Sequence, residues 1–433
     1  MDETVFAQRR QRVLDAIRPG AMLLFAAPVA YRNRDVEYEY RQDSDFFFLT
    51  GFEEPDCALL LSTVGEQSLV MFVRPRDAER EVWDGARLGV EGAVANLGAE
   101  AAHPIGELSA RLPDLLKDVP RLFYELGKTR GRDDTVLAAI ATLRGRVREG
   151  LSWPVQIIEP GSILHPMRVI KSAEEVEALR RAAHITCEAH LEVMHRARPG
   201  LYEYEIDALL RSAFRSRGSP RVAYSPVVGS GSNATVLHYR GTARQLQPGD
   251  LLLVDAGCEV EYYAADVTRT FPVSGRFSPD QSAVYEIVLS AQLAAIEAVR
   301  PGATLDDVHR AAVEVIARGL VGLGVIPGPP EEAIAEERYK PFYMHRTSHF
   351  LGMDVHDVGR SRNEGRPVAL QAGMVITVEP GLYFAESVPD AAAKYRGIGV
   401  RIEDDVLVTE QGSTVLTLAA PKEREDVERV CAG

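Results

Sequence analysis

The 433-residue chain is poor in cysteine, with only Cys57, Cys187, Cys258 and Cys431, and no two of them have CxxC spacing. That argues against a disulfide-stapled scaffold and for free thiols in a reducing cytoplasm. No apolar run reaches the ~18 residues a membrane span needs, so no membrane partner is expected. The opening "MDETVFAQRRQRVLDAIRPG" has acids at positions 2 and 3 and no apolar stretch of leader length, so no secretory leader is expected. A basic excess is also missing. Lys and Arg number 49 against 63 Asp and Glu, a net charge of −14. This disfavours nucleic acid, whose phosphates need a basic face, and suits cationic ligands or metal ions. GxSxG is absent, which disfavours a Ser/His/Asp hydrolase, and "VVGSGSNATVLHYRG" has neither the GxxxxGK[ST] nor the GxGxxG spacing of a phosphate loop.

With 46% hydrophobic and 26% charged residues the composition is that of a globular protein, and the length suggests two domains. Up to about residue 125, the runs "AMLLFA", "DFFFLTGF", "CALLLS", "SLVMFV" and "RLFYEL" alternate with turn signals and read as strands. Helical stretches such as "GELSARLPDLLKDV" lie between them, an α/β pattern. A Pro/Gly-marked stretch follows, and Ser172-Ala-Glu-Glu175 forms a capping box that opens a long helix. We therefore expect a domain of residues 1–170 and a second of residues 171–433.

The second domain carries an internal repeat. "ARPGLYEYEIDALL" from Ala197 is matched by "VRPGATLDDVHRAA" from Val299. Further on, "PGDLLLVDAG" is matched by "AGMVITVEPG", each with a carboxylate six residues after a glycine: Gly249 to Asp255, and Gly373 to Glu379. Both matches in the same order suggest a duplicated helix-then-strand unit.

These strands bring acids into apolar surroundings. "LLLVDAGCEVEYYAADVTRT" holds Asp255 and Asp266, whose odd separation would let them face each other across a hairpin. "GIGVRIEDDVLVTE" places Glu403 inside an alternating strand, mirroring Asp266 as Glu379 mirrors Asp255. Four converging carboxylates need shared protons or cations, and match two divalent cations. "FYMHRTSHFLGMDVHDVG" adds His345, His349 and His356, and His238 precedes the first acidic strand. An oxygen-rich donor set with one imidazole suits Mn²⁺, Co²⁺, Fe²⁺ or Zn²⁺ and does not suit a structural zinc site.

At these residues the chain resembles the metal-dependent pita-bread peptidases, aminopeptidase P above all. "YRNRDVEYEYRQDSDFFFLTGFEEPDCALLL" is similar to that family's N-terminal domain. In the second domain, "LHY", "VDAGCEVEYYAADVTRTFPVSGRF", "SHFLGMDVHDVG", "MVITVEPGLYF" and "GVRIEDDVLVT" follow in order. The resemblance implies an α/β N-terminal domain followed by an α+β pita-bread catalytic domain with pseudo-twofold symmetry. It implies a metalloaminopeptidase that cuts the first residue from peptides with proline in second place. Two divalent cations, manganese first with zinc or cobalt as alternatives, would be held by Asp255, Asp266, His349, Glu379 and Glu403, with Asp266 and Glu403 touching both. His238, His345, His356 and Arg401 would assist catalysis together with Glu379, and Tyr383 and Arg366 would contact substrate. Arg346 departs from the family, which often has glycine beside the first histidine. A homo-oligomer is implied, with Trp83 a candidate to reach a neighbour's cleft. Prolidase, a metal-free creatinase-like hydrolase and a non-catalytic binding protein on the same scaffold remain alternatives.

Overall fold

The computed structural model describes residues 1–432, which form two compact units, Met1–Met167 and a second from Arg168 onward. The first unit is built on a six-stranded mixed sheet in the order Ala101–Pro104, Leu69–Val73, Ala58–Ser62, Ala21–Phe25, Arg121–Phe123, Gln156–Ile158. The central strands are buried along their length, as expected for a sheet covered on both faces. One expected strand is a helix. "DFFFLTGF" forms Ser44–Thr50, started by the Asp43 side chain accepting from the Phe46 amide and stopped by Gly51 in the left-handed region. All its residues but Asp45 are buried, so the apolar run had no period to distinguish helix from strand.

In the second unit the repeat is visible in the backbone. Helices Ala173–Arg196 and Glu203–Ser216 precede the first acidic strand, and Pro279–Ala298 and Leu305–Gly322 precede the second. Three of the four open on a capping box, at Ser172, Ser278 and Thr304, and in the fourth the Glu205 carboxylate accepts from the Tyr202 amide. The Arg-Pro-Gly corners make the same hydrogen bonds: Gly200 donates to Leu246 at 2.9 Å and Gly302 to Leu370 at 2.9 Å. Gly249 and Gly373, with φ of +86° and +90°, turn the chain into strands Leu251–Asp255 and Val375–Val378 in the left-handed conformation glycine adopts without strain.

The first hairpin corrects the expected pairing. Asp255 faces Thr268, and Val260 faces Tyr263 across a two-residue turn, Glu261-Tyr262, with both φ angles positive. A turn centred there sets Asp266 level with Gly257, so the two aspartates lie diagonally on one face. The turn was not read from sequence because it carries neither the asparagine nor the glycine such turns favour. In the second half, Val378 faces Asp404 and Gly381 faces Arg401, which puts Glu379 level with Glu403. Glu403 thus holds the place across from Glu379 that Thr268 holds across from Asp255, and it does not mirror Asp266. Neither acid is inside a strand. Asp266 sits between Tyr263–Ala264 and Thr268–Pro272, and Glu403 between Gly399–Arg401 and Asp404–Val408.

A Cβ at Gly257 would lie 1.7 Å from the Ala265 carbonyl oxygen, so this hairpin closes only on glycine. Gly257→Ala is expected to force the strands apart and sharply lower the melting temperature or the soluble yield. Gly249→Ala meets open space and is expected to cost only the roughly 1–2 kcal/mol of a left-handed alanine. Thermal unfolding of the two variants checks the contrast.

Candidate metal centre and active site

One cavity of about 500 Å³ gathers Asp255, Asp266, His349, Glu379 and Glu403, together with His238, His345, His356 and Arg401. Asp255, Asp266 and Glu403 are buried, and the imidazole Nε2 of His349 lies 3.4 Å from Asp266 and 3.6 Å from Glu379. Donor atoms of Asp266, His349 and Glu403 all lie within 4.8 Å of one another. The histidine arrives on a segment laid against the second acidic strand: Thr377 donates to the His349 carbonyl at 3.0 Å, and Glu379 to that of Thr347 at 2.8 Å.

Each acid is tied in place. The Glu403 amide donates to the Thr268 carbonyl at 3.1 Å while the Thr268 hydroxyl donates to the Glu403 carboxylate at 2.6 Å. The Asp266 amide donates to Asp405, itself buried. Arg401 donates to Asp255 at 2.5 Å, to the Tyr383 hydroxyl at 3.0 Å and to the Thr268 hydroxyl at 3.1 Å. Behind the cluster, fully buried Arg269 donates to the carbonyls of Glu403 at 2.6 Å and Thr268 at 2.9 Å. Its charge is met by Asp404, which Lys422 also contacts at 2.6 Å. Burial alone would raise Asp404, but these two cations hold it well below the usual carboxylate range.

Sequence reasoning missed Tyr224. Its hydroxyl contacts Asp255 at 2.5 Å and also Asp266. One hydroxyl proton can be donated to only one of the two carboxylates at a time. Tyr224 lies just before strand Val227–Ser230, whose Val227 faces Asp255. The local sequence Ala-Tyr-Ser-Pro has no periodicity or motif to mark it.

The electrostatics repeat the same demand. Burial raises Asp266, and raises Glu403 well above its ordinary value with the charges of Asp266 and Glu379 adding to it. Burial pushes Glu379 up to about 7. Burial alone would lower His349, but the hydrogen bond to Asp266 and the charge of Glu379 overcome it and push it up to about 9. Burial thus favours the protonated forms of Asp266, Glu379 and Glu403 where cations are lacking. His349 is also preset as a ligand. Its Nδ1 lies 3.0 Å from the Phe350 carbonyl, and donating a proton there leaves Nε2, once a cation displaces its own proton, with a lone pair facing the acids. Oxygen donors plus one so oriented imidazole fit Mn²⁺, Co²⁺ or Zn²⁺.

The other expected residues divide. His345 has both nitrogens engaged, Nδ1 with the Arg346 carbonyl at 2.8 Å and Nε2 with the Tyr383 hydroxyl at 2.9 Å, and burial pushes it down to about 4. That fixes a neutral ring donating from Nδ1, with no free N–H left to offer a substrate in this arrangement. His238 is exposed at the cavity wall. His356 stands edge-on to His349 with centroids 4.5 Å apart, on a loop anchored by Asp357, which pairs with Arg168 at 2.7 Å and Lys171 at 3.0 Å. Arg366 corrects the expectation of a substrate contact. It sits in an exposed two-residue strand paired with Arg362–Asn363 and does not line the cavity.

Buried acids and an imidazole converging on a cleft define a metallohydrolase-type centre, and comparison with known proteins names the family. The profile of metallopeptidase family M24 matches residues 177–410, and that of the aminopeptidase P N-terminal domain matches residues 6–124. The chain belongs to metallopeptidase family M24, and is an enzyme of the aminopeptidase P type with a pita-bread catalytic domain. It is 42% identical to the Xaa-Pro aminopeptidase of Escherichia coli over 98% of this chain and 96% of that one. It is 34% identical to Xaa-Pro aminopeptidase 3 of Rattus norvegicus over 100% and 86%. Its structure is similar to that of aminopeptidase PepP of Pseudomonas aeruginosa, with a TM-score of 0.98 and 45% identity over 100% and 98% of the two chains. It is likewise similar to zinc-substituted Escherichia coli aminopeptidase P in complex with product, at 0.96 and 40% over 100% and 98%.

Metal-free protein is expected to lose stability as pH rises from 6.5 to 9. An unfolded histidine is already neutral above about 6.5, whereas folded His349 keeps its proton to about 9, so the folded state alone binds the proton in this window. The stabilisation is whole below 6.5 and lost on passing 9. Divalent cation should replace the proton and flatten the slope, which melting curves with chelator and with Mn²⁺ would show.

Proposed function

We propose that the chain is an Xaa-Pro aminopeptidase that removes the first residue of peptides with proline in second place, using two divalent cations, manganese first. The observation that carries this reading is the single cleft shared by Asp255, Asp266, His349, Glu379 and Glu403, in a chain whose relatives across its length are Xaa-Pro aminopeptidases. Asp255 would hold one cation, His349 and Glu379 the other, and Asp266 and Glu403 both. When bound, such a pair supplies a water of lowered pKa and polarises the substrate carbonyl.

The protein's own groups do the rest. The acidic floor attracts the free α-ammonium, which restricts cutting to the N-terminus. Arg401 holds Asp255 toward the cleft and, through Tyr383, orients neutral His345. His238 stands exposed at the wall, free to donate to oxygen charge developing on the scissile carbonyl. His356, packed edge-on against His349, keeps that ring in place. Glu379 delivers a proton to the departing prolyl nitrogen, which has no hydrogen in the tertiary amide. The enzyme works in the cytoplasm, where its cysteines, all free, stay reduced. It works as a homo-oligomer, in which a second copy would cover Trp83, 84% exposed on helix Ala78–Asp84.

The test is chelated protein refilled with Mn²⁺, Zn²⁺ or Co²⁺ and given Xaa-Pro-Yaa tripeptides. Release of the first residue, restored by metal, supports the reading, and cleavage confined to Xaa-Pro dipeptides replaces it with a prolidase. Glu403→Ala is expected to lose bound metal by elemental analysis and to lower kcat/KM by more than about a hundredfold, beyond the loss typical of a residue that merely orients a ligand.

A further inference from the structure

The cleft is acidic at its floor and basic at its mouth. Asp255, Asp266 and Glu403 are 9%, 5% and 2% exposed. Arg240 and Arg346 line the same cavity but face solvent, Arg346 with 58% of its side chain exposed. The third arginine of the cavity, Arg401, is buried and committed to Asp255.

The charge at the mouth is not cancelled locally. Arg346 pairs with Asp306, in the first turn of helix Leu305–Gly322, and the same carboxylate also pairs with Arg362. One acid between two guanidinium groups leaves one positive charge. Arg240 makes no ion pair among the described residues and adds another. The Asp306 contact also limits the freedom of a long side chain, so less entropy is lost when Arg346 meets a second anion.

A peptide bound for aminoterminal cleavage has a fixed polarity in such a cleft. Its α-ammonium sits at the acidic floor, the prolyl ring restricts the backbone after the scissile bond, and the following residues leave by the mouth. We propose that Arg240 and Arg346 form a cationic selector that favours substrates with a carboxylate just after the proline. This rests on the aminopeptidase reading above. The carboxylate has two sources, the C-terminus of a short peptide and an acidic side chain at the third position, and guanidinium groups suit both.

The experiment uses the metal-loaded full chain and two matched pairs: Ala-Pro-Ala against its C-terminal amide, and Ala-Pro-Glu-amide against Ala-Pro-Gln-amide. Wild type is expected to favour the carboxylate member of at least one pair by roughly fivefold in kcat/KM, carried by KM, as for an exposed ion pair at low salt. The preference should shrink as ionic strength rises. The pair that responds identifies the source. Arg240→Gln and Arg346→Gln should each reduce the ratio, and Arg346→Glu should invert it. Since each ratio is taken within one enzyme, a general loss of activity cancels. A wild-type ratio of one in both pairs, or a ratio that both Gln variants leave unchanged, overturns the proposal. Failure of wild type to cleave any of the four peptides overturns the aminopeptidase reading instead.

Discussion

Mutual repulsion among buried carboxylates governs this protein. Asp255, Asp266, Glu379 and Glu403 share one wall of one cleft, and like charges so placed cannot all ionise away from water without a counter-charge. The surroundings show the demand answered in part. Arg401 neutralises Asp255, Tyr224 has a single proton for two aspartates, and His349 holds its own proton far above the usual range. What these groups leave unmet is a need for mobile positive charge, and in a member of a metallopeptidase family divalent metal is its natural source.

The duplicated unit explains how so costly a cluster is assembled. Two copies of one helix-and-strand pattern each bring a strand-end acid to the same place. The copies are joined there by short polar links: the Glu403 amide to Thr268, the Asp266 amide to Asp405, and Arg269 to the Glu403 carbonyl. Register then differentiates the halves. Where one has Thr268 opposite its strand-end acid, the other has Glu403. A symmetric scaffold thus carries an asymmetric donor set, with the lone imidazole supplied from one side. Buried Arg269 and Lys422, sharing Asp404 just behind, add positive charge without entering the cleft.

The same polarity extends outward. Acids at depth and guanidinium groups at the mouth make the cleft a dipole, and a free peptide is the complementary dipole, ammonium first.

Much of this was legible in the sequence. The repeat was visible because Arg-Pro-Gly corners and glycine-led apolar runs are local signals with fixed spacing, and the structure shows them making the same bonds. The four acids stood out because carboxylates beside apolar runs conflict with the pattern around them, whereas the choice of His349 among the nearby histidines came from the family resemblance. Local sequence could not reveal the helix Ser44–Thr50, buried at every position but Asp45, or the turn at Glu261-Tyr262, whose positive φ angles fall on residues that do not advertise them. From that turn follows the register of the first hairpin, which sets Asp255 and Asp266 diagonally and not level. Tyr224, the shared Asp306 and the engagement of both His345 nitrogens were likewise decided only by tertiary structure. All but the local bond of His345 to Arg346 are contacts between segments remote in the chain, and a hydrogen bond across such a gap leaves no trace in the residues on either side.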